Sequence, residues 1–268
     1  MNLPLMTALY FDHLSLCNLP ACDMVAAAAQ LGCAGVSLFV RPLPLGPYAD
    51  LVTDQPARRA VVAALRQYGM SVGVVEPFLL DDSPDWDAME RTAALAAELG
   101  GDINALAMDA DAGRRLDAMG RLADVERAAG TRLLIEPFSL SPVRTPAEAL
   151  ALAQTSGDDV GLTIDTLHVM RTGGSWADIA ALPPERIVHV QISDGPRAAP
   201  DDLASEAVRG RLPPGQGEFE LEKLIPLLPV HARIAVEAPF FAAAGTSPLE
   251  RGRILVEAMR RLLGPAQR

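Results

Sequence analysis

Residues 133–138 read Leu133-Leu134-Ile135-Glu136-Pro137-Phe138, an aliphatic run that ends on a glutamate. Three later runs repeat the plan: LTIDTLH (Leu162 to His168), VHVQISD (Val188 to Asp194) and IAVEAPF (Ile234 to Phe240). Short apolar runs of this kind suit strands that are buried on both faces. A carboxylate or carboxamide at the end of such a run is costly to bury alone. Several of them converging on a divalent cation would remove most of that cost. The four runs therefore point to parallel strands that finish at one rim and share one site there.

Outward from these runs, strand-like and helix-like segments alternate through the whole chain of 268 residues. Strands are expected at 8–14, 35–40, 72–78, 103–108, 132–137, 160–165, 186–192 and 234–238. Ala/Leu/Arg-rich stretches of helical period separate them, at 21–31, 56–68, 86–99, 112–129, 146–154, 176–181 and 220–228, and a final helix is expected at 248–263. Eight strands in strict alternation with eight helices predict an α/β protein, a (β/α)8 TIM barrel. An open doubly wound sheet is the competitor, but no G-x-G-x-x-G follows the first strand. The expected organisation is a single barrel domain over 1–268, with a long active-site loop at about 195–217. Gly32, Gly69 and Gly100 stand where helices should end, and Thr145-Pro146 reads as an N-cap followed by proline in the first turn.

The formal net charge of −11 argues against nucleic acid and anionic membrane surfaces as partners. No apolar run approaches the roughly 20 residues of a membrane span, and the N-terminus lacks a basic leader region, so a cytoplasmic protein is expected. Cys17, Cys22 and Cys33 show no metal or redox spacing and read as buried reduced thiols. A homo-oligomer is compatible with everything in the sequence.

In a (β/α)8 barrel the site lies at the carboxyl ends of the strands. Glu136, Asp165, Gln191 and Glu237 end strands five to eight, giving four oxygen donors to one sector of the rim. Oxygen-rich ligation suits one hard divalent ion, Mn2+ or Mg2+ ahead of Co2+ or Zn2+. The motifs Ile135-Glu136-Pro137, Asp165-Thr166-Leu167-His168, His189-Val190-Gln191, Val236-Glu237 and the stretch from Arg211 to Glu218 (RLPPGQGE) carry a resemblance. The chain resembles the sugar phosphate isomerase/epimerase family of xylose isomerase-like TIM barrels. That group includes ketose 3-epimerases, hydroxypyruvate isomerase and 3-dehydroshikimate dehydratase. The resemblance implies that Glu136, Asp165 and Glu237 bind the metal, with Gln191 as fourth ligand. Ketose 3-epimerases place histidine at that fourth position, whereas the glutamine here is like that of hydroxypyruvate isomerase. The motifs cover roughly residues 130–240; the earlier half matches by fold pattern.

The resemblance further implies that His168 hydrogen-bonds a substrate oxygen and that Arg211 reaches back over the site to a substrate hydroxyl or carboxylate. His189 shares the face of Gln191 but sits deeper, where a buried supporting role competes with substrate contact. Glu76 ends the third strand as Glu136 ends the fifth; lining the pocket competes there with an ion pair to a neighbouring strand. His13 reads as a core histidine, and the arginine-rich last helix as ordinary barrel packing.

The implied activity is a metal-dependent isomerase or epimerase of a sugar or small hydroxy-carbonyl compound. A Lewis-acidic ion would stabilise an enediolate, with Glu136 and Glu237 as proton-transfer carboxylates. A dehydratase acting on a hydroxy-ketone shares the first step and is the second expectation. A barrel that binds a metabolite without turnover is the third, and an AP-endonuclease-like role is disfavoured by the four histidines and the acidity.

Overall fold

The computed structural model describes residues 8–46 and 48–264. Eight parallel strands close into a barrel in sequence order, with β8 hydrogen-bonded back to β1. They are β1 Leu9–Asp12, β2 Gly35–Phe39, β3 Ser71–Leu80, β4 Asp102–Ala107, β5 Leu133–Ile135, β6 Gly161–Asp165, β7 Ile187–Ile192 and β8 Arg233–Val236. The helices are α1 Ala21–Gln30, α2 Gln55–Tyr68, α3 Trp86–Leu99, α4 Ala112–Ala129, α5 Pro146–Ser156, α6 Thr166–Arg171, α7 Trp176–Ala180, α8 Leu203–Ser205, α9 Leu221–Leu224 and α10 Pro248–Leu263.

Local chemistry starts the helices where the sequence predicts. Asp54, Asp85 and Asp111 each accept a first-turn amide hydrogen at the N-termini of α2, α3 and α4. Thr145 and Glu148 form a reciprocal capping box at α5. Such a cap stabilises a helix by about 1 kcal/mol. Gly69 and Gly100 close α2 and α3 in the left-handed conformation, as expected. The outward side chains of the strands, among them Leu38, Ile135, Ile164 and Val190, pack against Met24, Leu95, Met119, Leu122 and Met259 of the helices. Met259 belongs to α10, so the last helix does close the barrel's outer layer.

Several boundaries differ from expectation. β1 stops at Asp12 because His13–Leu16 turns into a 3-10 helix, while β3 runs on to Leu80. β5 is short, since Pro137 has no amide hydrogen to continue the ladder. α6 was hidden inside an aliphatic run. It forms because the Asp165 side chain accepts the Leu167 amide hydrogen at 2.8 Å, capping a helix directly off the strand. The expected helix at 220–228 is only α9 followed by a 3-10 turn at Ile225–Leu227, which contains Pro226. All three thiols are free, but Cys33 alone is buried; Cys17 and Cys22 are partly exposed.

The stretch after β7 is folded on itself. Asp194 and Leu212 form an antiparallel bridge, and the Asp194 carboxylate accepts the amide hydrogens of Gly195, Gly215 and Phe219. A buried Arg171–Glu206 pair, with two 2.6 Å contacts, fastens the stretch to α6. Within it, α8 is followed by the π-turn Glu206–Gly210, which delivers Arg211 to the barrel mouth. Among the described residues no helix is long and apolar enough to cross a membrane.

One buried carboxylate lies away from this mouth. Glu126 of α4 is 1% exposed, is held by the Thr131 hydroxyl, and leaves Oε1 without a partner among the described residues. Burial pushes it up to about 8. Because its folded-state value lies above the ordinary one, a stability cost grows as pH rises from about 4.5 towards 8. Glu126→Gln is therefore expected to raise unfolding free energy by on the order of 3 kcal/mol at pH 8. Urea unfolding at pH 8 and pH 4.5 checks this, because the gain should vanish at the lower pH.

Candidate metal centre and active site

At the carboxyl end of the barrel each strand, or the residue just past it, turns one side chain inward. These are Asp12, Phe39, Glu76, Asn104, Glu136, Asp165, Gln191 and Glu237, from β1 to β8 in order. Beneath them Val74, Leu134 and Val188 make a small apolar cluster apart from the main core.

Six of these polar residues, joined by Arg211 and His168, form a circuit in which four carboxylates alternate with four nitrogen donors. Asn104 Nδ2 donates to Glu136 Oε2 at 2.6 Å and lies 3.5 Å from Glu76 Oε1. Gln191 Nε2 donates to Glu76 Oε1 at 3.3 Å and to Glu237 Oε1 at 3.1 Å. Arg211 Nη1 lies 3.1 Å from Glu237 Oε2 and donates to Asp165 Oδ2 at 2.7 Å. His168 Nε2 closes the circuit, 3.6 Å from Asp165 Oδ2 and 3.8 Å from Glu136 Oε1.

Four of these groups are the ligand set expected from sequence, and all four reach the same mouth. They do not all touch one another. Glu136 and Asp165 group tightly with His168, whereas Glu237 groups with Asp12 and Glu76. Arg211 joins the two groups. Its guanidinium also donates to the Glu237 and Ala207 carbonyls.

His168, the first-turn histidine of α6, is buried against the edge of Phe138. Its Nδ1 lies 2.9 Å from the Ser139 hydroxyl, and carboxylates face its Nε2. With the Asp165 and Glu136 side chains on the Nε2 side, we assign the ring proton to Nε2 and let Ser139 donate to Nδ1. Burial lowers His168 to about 4, so the ring is neutral and presents one N–H to the mouth. His189 is fully buried and lies below the circuit, its Nε2 3.3 Å from Asp12 Oδ2 and 3.5 Å from the Ser37 hydroxyl. Of its two expected roles, this position favours the supporting one. Glu76 is partly exposed and takes part in the circuit directly.

Asp12, Asn104 and Ser139 were not singled out from sequence. Period-two counting along the first and fourth strands would have placed Asp12 and Asn104 inward, where an unpaired polar residue is costly. Ser139 lies in a loop and carries no local signal.

The electrostatics leave a place for positive charge. Burial raises Glu136 to about 8, helped by the charge of Asp165. Burial also raises Glu76 and Glu237 well above the carboxylate range, and Asp12, Glu136 and Asp165 add repulsion. Asp165 alone is lowered: burial opposes ionisation there, but the Arg211 guanidinium outweighs it. Arg211 is the one permanent cation of the circuit. Gln191 Oε1 and Asp12 Oδ1 are buried without partners among the described residues. An excess of buried carboxylate, with idle oxygen lone pairs beside it, fits a hard divalent cation.

A closed parallel barrel with an oxygen-rich acidic mouth defines an α/β-barrel protein suited to a divalent ion. The chain belongs to the xylose isomerase-like TIM barrel family, whose model matches residues 25–234. A curated relative, 3-dehydroshikimate dehydratase of Pseudomonas aeruginosa, is 29% identical over 218 residues, covering 74% of this chain and 32% of the relative. This chain thus spans about a third of that protein's length. Among solved structures, a xylose isomerase-like TIM barrel/4-hydroxyphenylpyruvate dioxygenase fusion protein superposes with TM-score 0.78 and 21% identity, over 96% of this chain and 42% of the other. The IOLI protein with a bound zinc atom superposes with TM-score 0.77 and 14% identity, over 97% of this chain and 99% of that one. At these identities the structural likeness speaks for the fold.

Proposed function

We propose that this chain moves a carbon-bound proton next to the carbonyl of a small hydroxy-carbonyl compound, as an isomerase or epimerase. The observation that carries the reading is the pair Glu136 and Glu237. They come from β5 and β8, on either side of the Asp165–Arg211 contact, in one buried mouth. Two carboxylates so disposed can take a proton from one side of a substrate and return it from the other.

Glu136, Asp165, Gln191 and Glu237 would hold one divalent ion, Mn2+ or Mg2+ by their donor type. When bound, it supplies Lewis acidity for the negative charge that develops on the substrate oxygens. The protein residues perform the remaining tasks. Asn104 fixes Glu136 through Oε2, which leaves Oε1 on the side of His168 to accept the proton. His168 directs its Nε2–H at a substrate oxygen, with Ser139 keeping the ring in that tautomer. Glu237, steadied by Gln191, returns the proton to the opposite face of the same carbon or to its neighbour. Arg211 and the carboxylates it contacts are buried, so these contacts act in a low-dielectric space.

A second reading, dehydration, is supported by the name of the curated relative. The first proton transfer is shared. The departing hydroxyl then takes the proton that Glu136 removed and leaves as water, with the His168 N–H as a hydrogen-bond donor to it, and no proton returns to carbon.

The test is exchange of the substrate's α-hydrogen with D2O, by Mn2+-loaded protein, over ketoses, hydroxypyruvate and inosose-type ketones. Exchange with recovery of an isomer supports the first reading. New ultraviolet absorbance from an α,β-unsaturated product replaces it with the second, and absence of exchange across the panel removes both.

A further inference from the structure

At the level of the circuit seven strands turn a polar side chain inward, but β2 turns Phe39. Leu38 and Val40 on either side belong to the barrel–helix core, so Phe39 faces the mouth on the side of Ser37. It pairs in register with Glu76. Its ring stacks on His13 at 5.4 Å, and both rings meet Tyr48, at 5.1 and 5.0 Å. Leu14 completes this cluster, with Cys17, Leu43 and Leu45 packed against it. The polar mouth therefore has one apolar sector.

That sector is held rigid. His13 Nδ1 accepts the Phe39 amide hydrogen at 3.2 Å and Nε2 meets the Leu19 carbonyl at 2.8 Å. Both ring nitrogens are engaged, so His13 acts as a neutral brace. The segment carrying Tyr48 is tied to β2 by the Leu51 amide on the Val40 carbonyl. Gly46 packs so closely that a Cβ there would lie 2.2 Å from the Cys17 carbonyl oxygen.

Tyr48 is 8% exposed, and its buried hydroxyl lies beside the Cys17 thiol without a well-formed hydrogen bond among the described residues. A buried hydroxyl without a partner is disfavoured unless something else satisfies it. Burial raises its pKa, the neighbouring Cys17 thiol adds to the rise and Glu76 adds a smaller share, so the phenol remains protonated and able to donate.

We propose that Tyr48 is a substrate-positioning residue whose phenol donates to an oxygen of a bound cyclic hydroxy-ketone, while Phe39 carries the C–H face of that ring. This deepens, and rests on, the reading that the mouth accepts a hydroxy-carbonyl compound. A ring offers carbon–hydrogen surface on one face and oxygens at its edge, which matches an apolar sector beside a polar circuit. An open-chain ketose offers no such face and loses more rotor freedom on binding.

Calorimetric titration of the Mn2+-loaded full chain tests this, with an inosose as the cyclic probe and erythrulose as the acyclic one. The inosose is expected to bind at least about tenfold tighter. Tyr48→Phe should raise its Kd by about 5- to 30-fold and leave erythrulose binding and the melting temperature nearly unchanged. Phe39→Leu, which keeps the sector apolar but removes the flat ring, should weaken the inosose as well. Equal affinity for the two probes, binding of neither, an unchanged inosose Kd in Tyr48→Phe, or a parallel loss of both probes with a fall in melting temperature overturns the proposal. D2O exchange measured alongside separates the two levels. Exchange with no dependence of inosose binding on Tyr48 removes this inference alone. Tyr48-dependent inosose binding without exchange removes the isomerase reading alone.

Discussion

Glu136→Gln and Glu237→Gln are each expected to lower α-hydrogen exchange by about 10²–10⁴-fold or more. Glutamine nearly matches glutamate in shape, and its carbonyl oxygen can still accept from Asn104 at position 136 or from Gln191 at position 237. The circuit should therefore survive while the proton acceptor is lost. Removing one of several buried, mutually repelling carboxylates also relieves some of the burial cost that raises Glu136 and Glu237. Neither variant should be less stable than the parent when measured in EDTA. Each substitution also deletes a charge from the expected ligand set, so metal content must be measured beside the rate. A fall in exchange far larger than the fall in bound Mn2+ identifies a proton-transfer role. Full exchange in both variants would remove the two carboxylates from the mechanism.

The part of the site that was legible in sequence has a common physical origin. Glu136, Asp165, Gln191 and Glu237 each stand at the carboxyl end of an apolar run, where the strand stops near the rim. Asp12 likewise ends β1, which the sequence pattern extends to residue 14, whereas Asn104 reaches the same level differently. Asn104 pairs with Leu134, two residues before Glu136, and β4 continues three residues beyond it. Which residue of a strand meets the rim depends on the stagger of the closed barrel, a tertiary property that local pattern does not hold. The alternation of carboxylates with nitrogen donors lies further still from sequence. It depends on how one amide is turned and on an arginine arriving from a folded loop. Tyr48 was silent for a related reason: it sits in a proline-rich connection, and only packing against His13 and Phe39 brings its ring to the mouth's apolar sector. Helix termini, by contrast, follow from neighbouring residues, and α3, α4 and α10 fall where the sequence places them.

Arg211→Met should produce the largest loss of stability of any single change at the mouth. The guanidinium is 2% exposed, and Nη1 serves Asp165 at 2.7 Å together with both the side chain and the carbonyl of Glu237. Methionine fills much of the same volume but leaves these oxygens without their cation. Breaking a buried pair from one side in this way costs about 3–5 kcal/mol. The sign of the pH dependence follows from Asp165. Arg211 holds that carboxyl below its ordinary value, so the stabilisation is present above the unfolded-state pKa and fades as pH falls through the folded-state one. Without Arg211, burial raises Asp165 in the variant, so the variant takes up a proton at pH 5 that the parent does not, which makes the defect greatest at pH 8 and smaller at pH 5. A divalent cation supplies the same missing charge, so Mn2+ should return part of the loss. Urea unfolding of parent and variant at both pH values, in EDTA and in Mn2+, measures all three expectations. A loss below about 1 kcal/mol in EDTA at pH 8 would mean that the guanidinium does not balance the buried carboxylates. The charge argument for a cation at this mouth would then lose its main support.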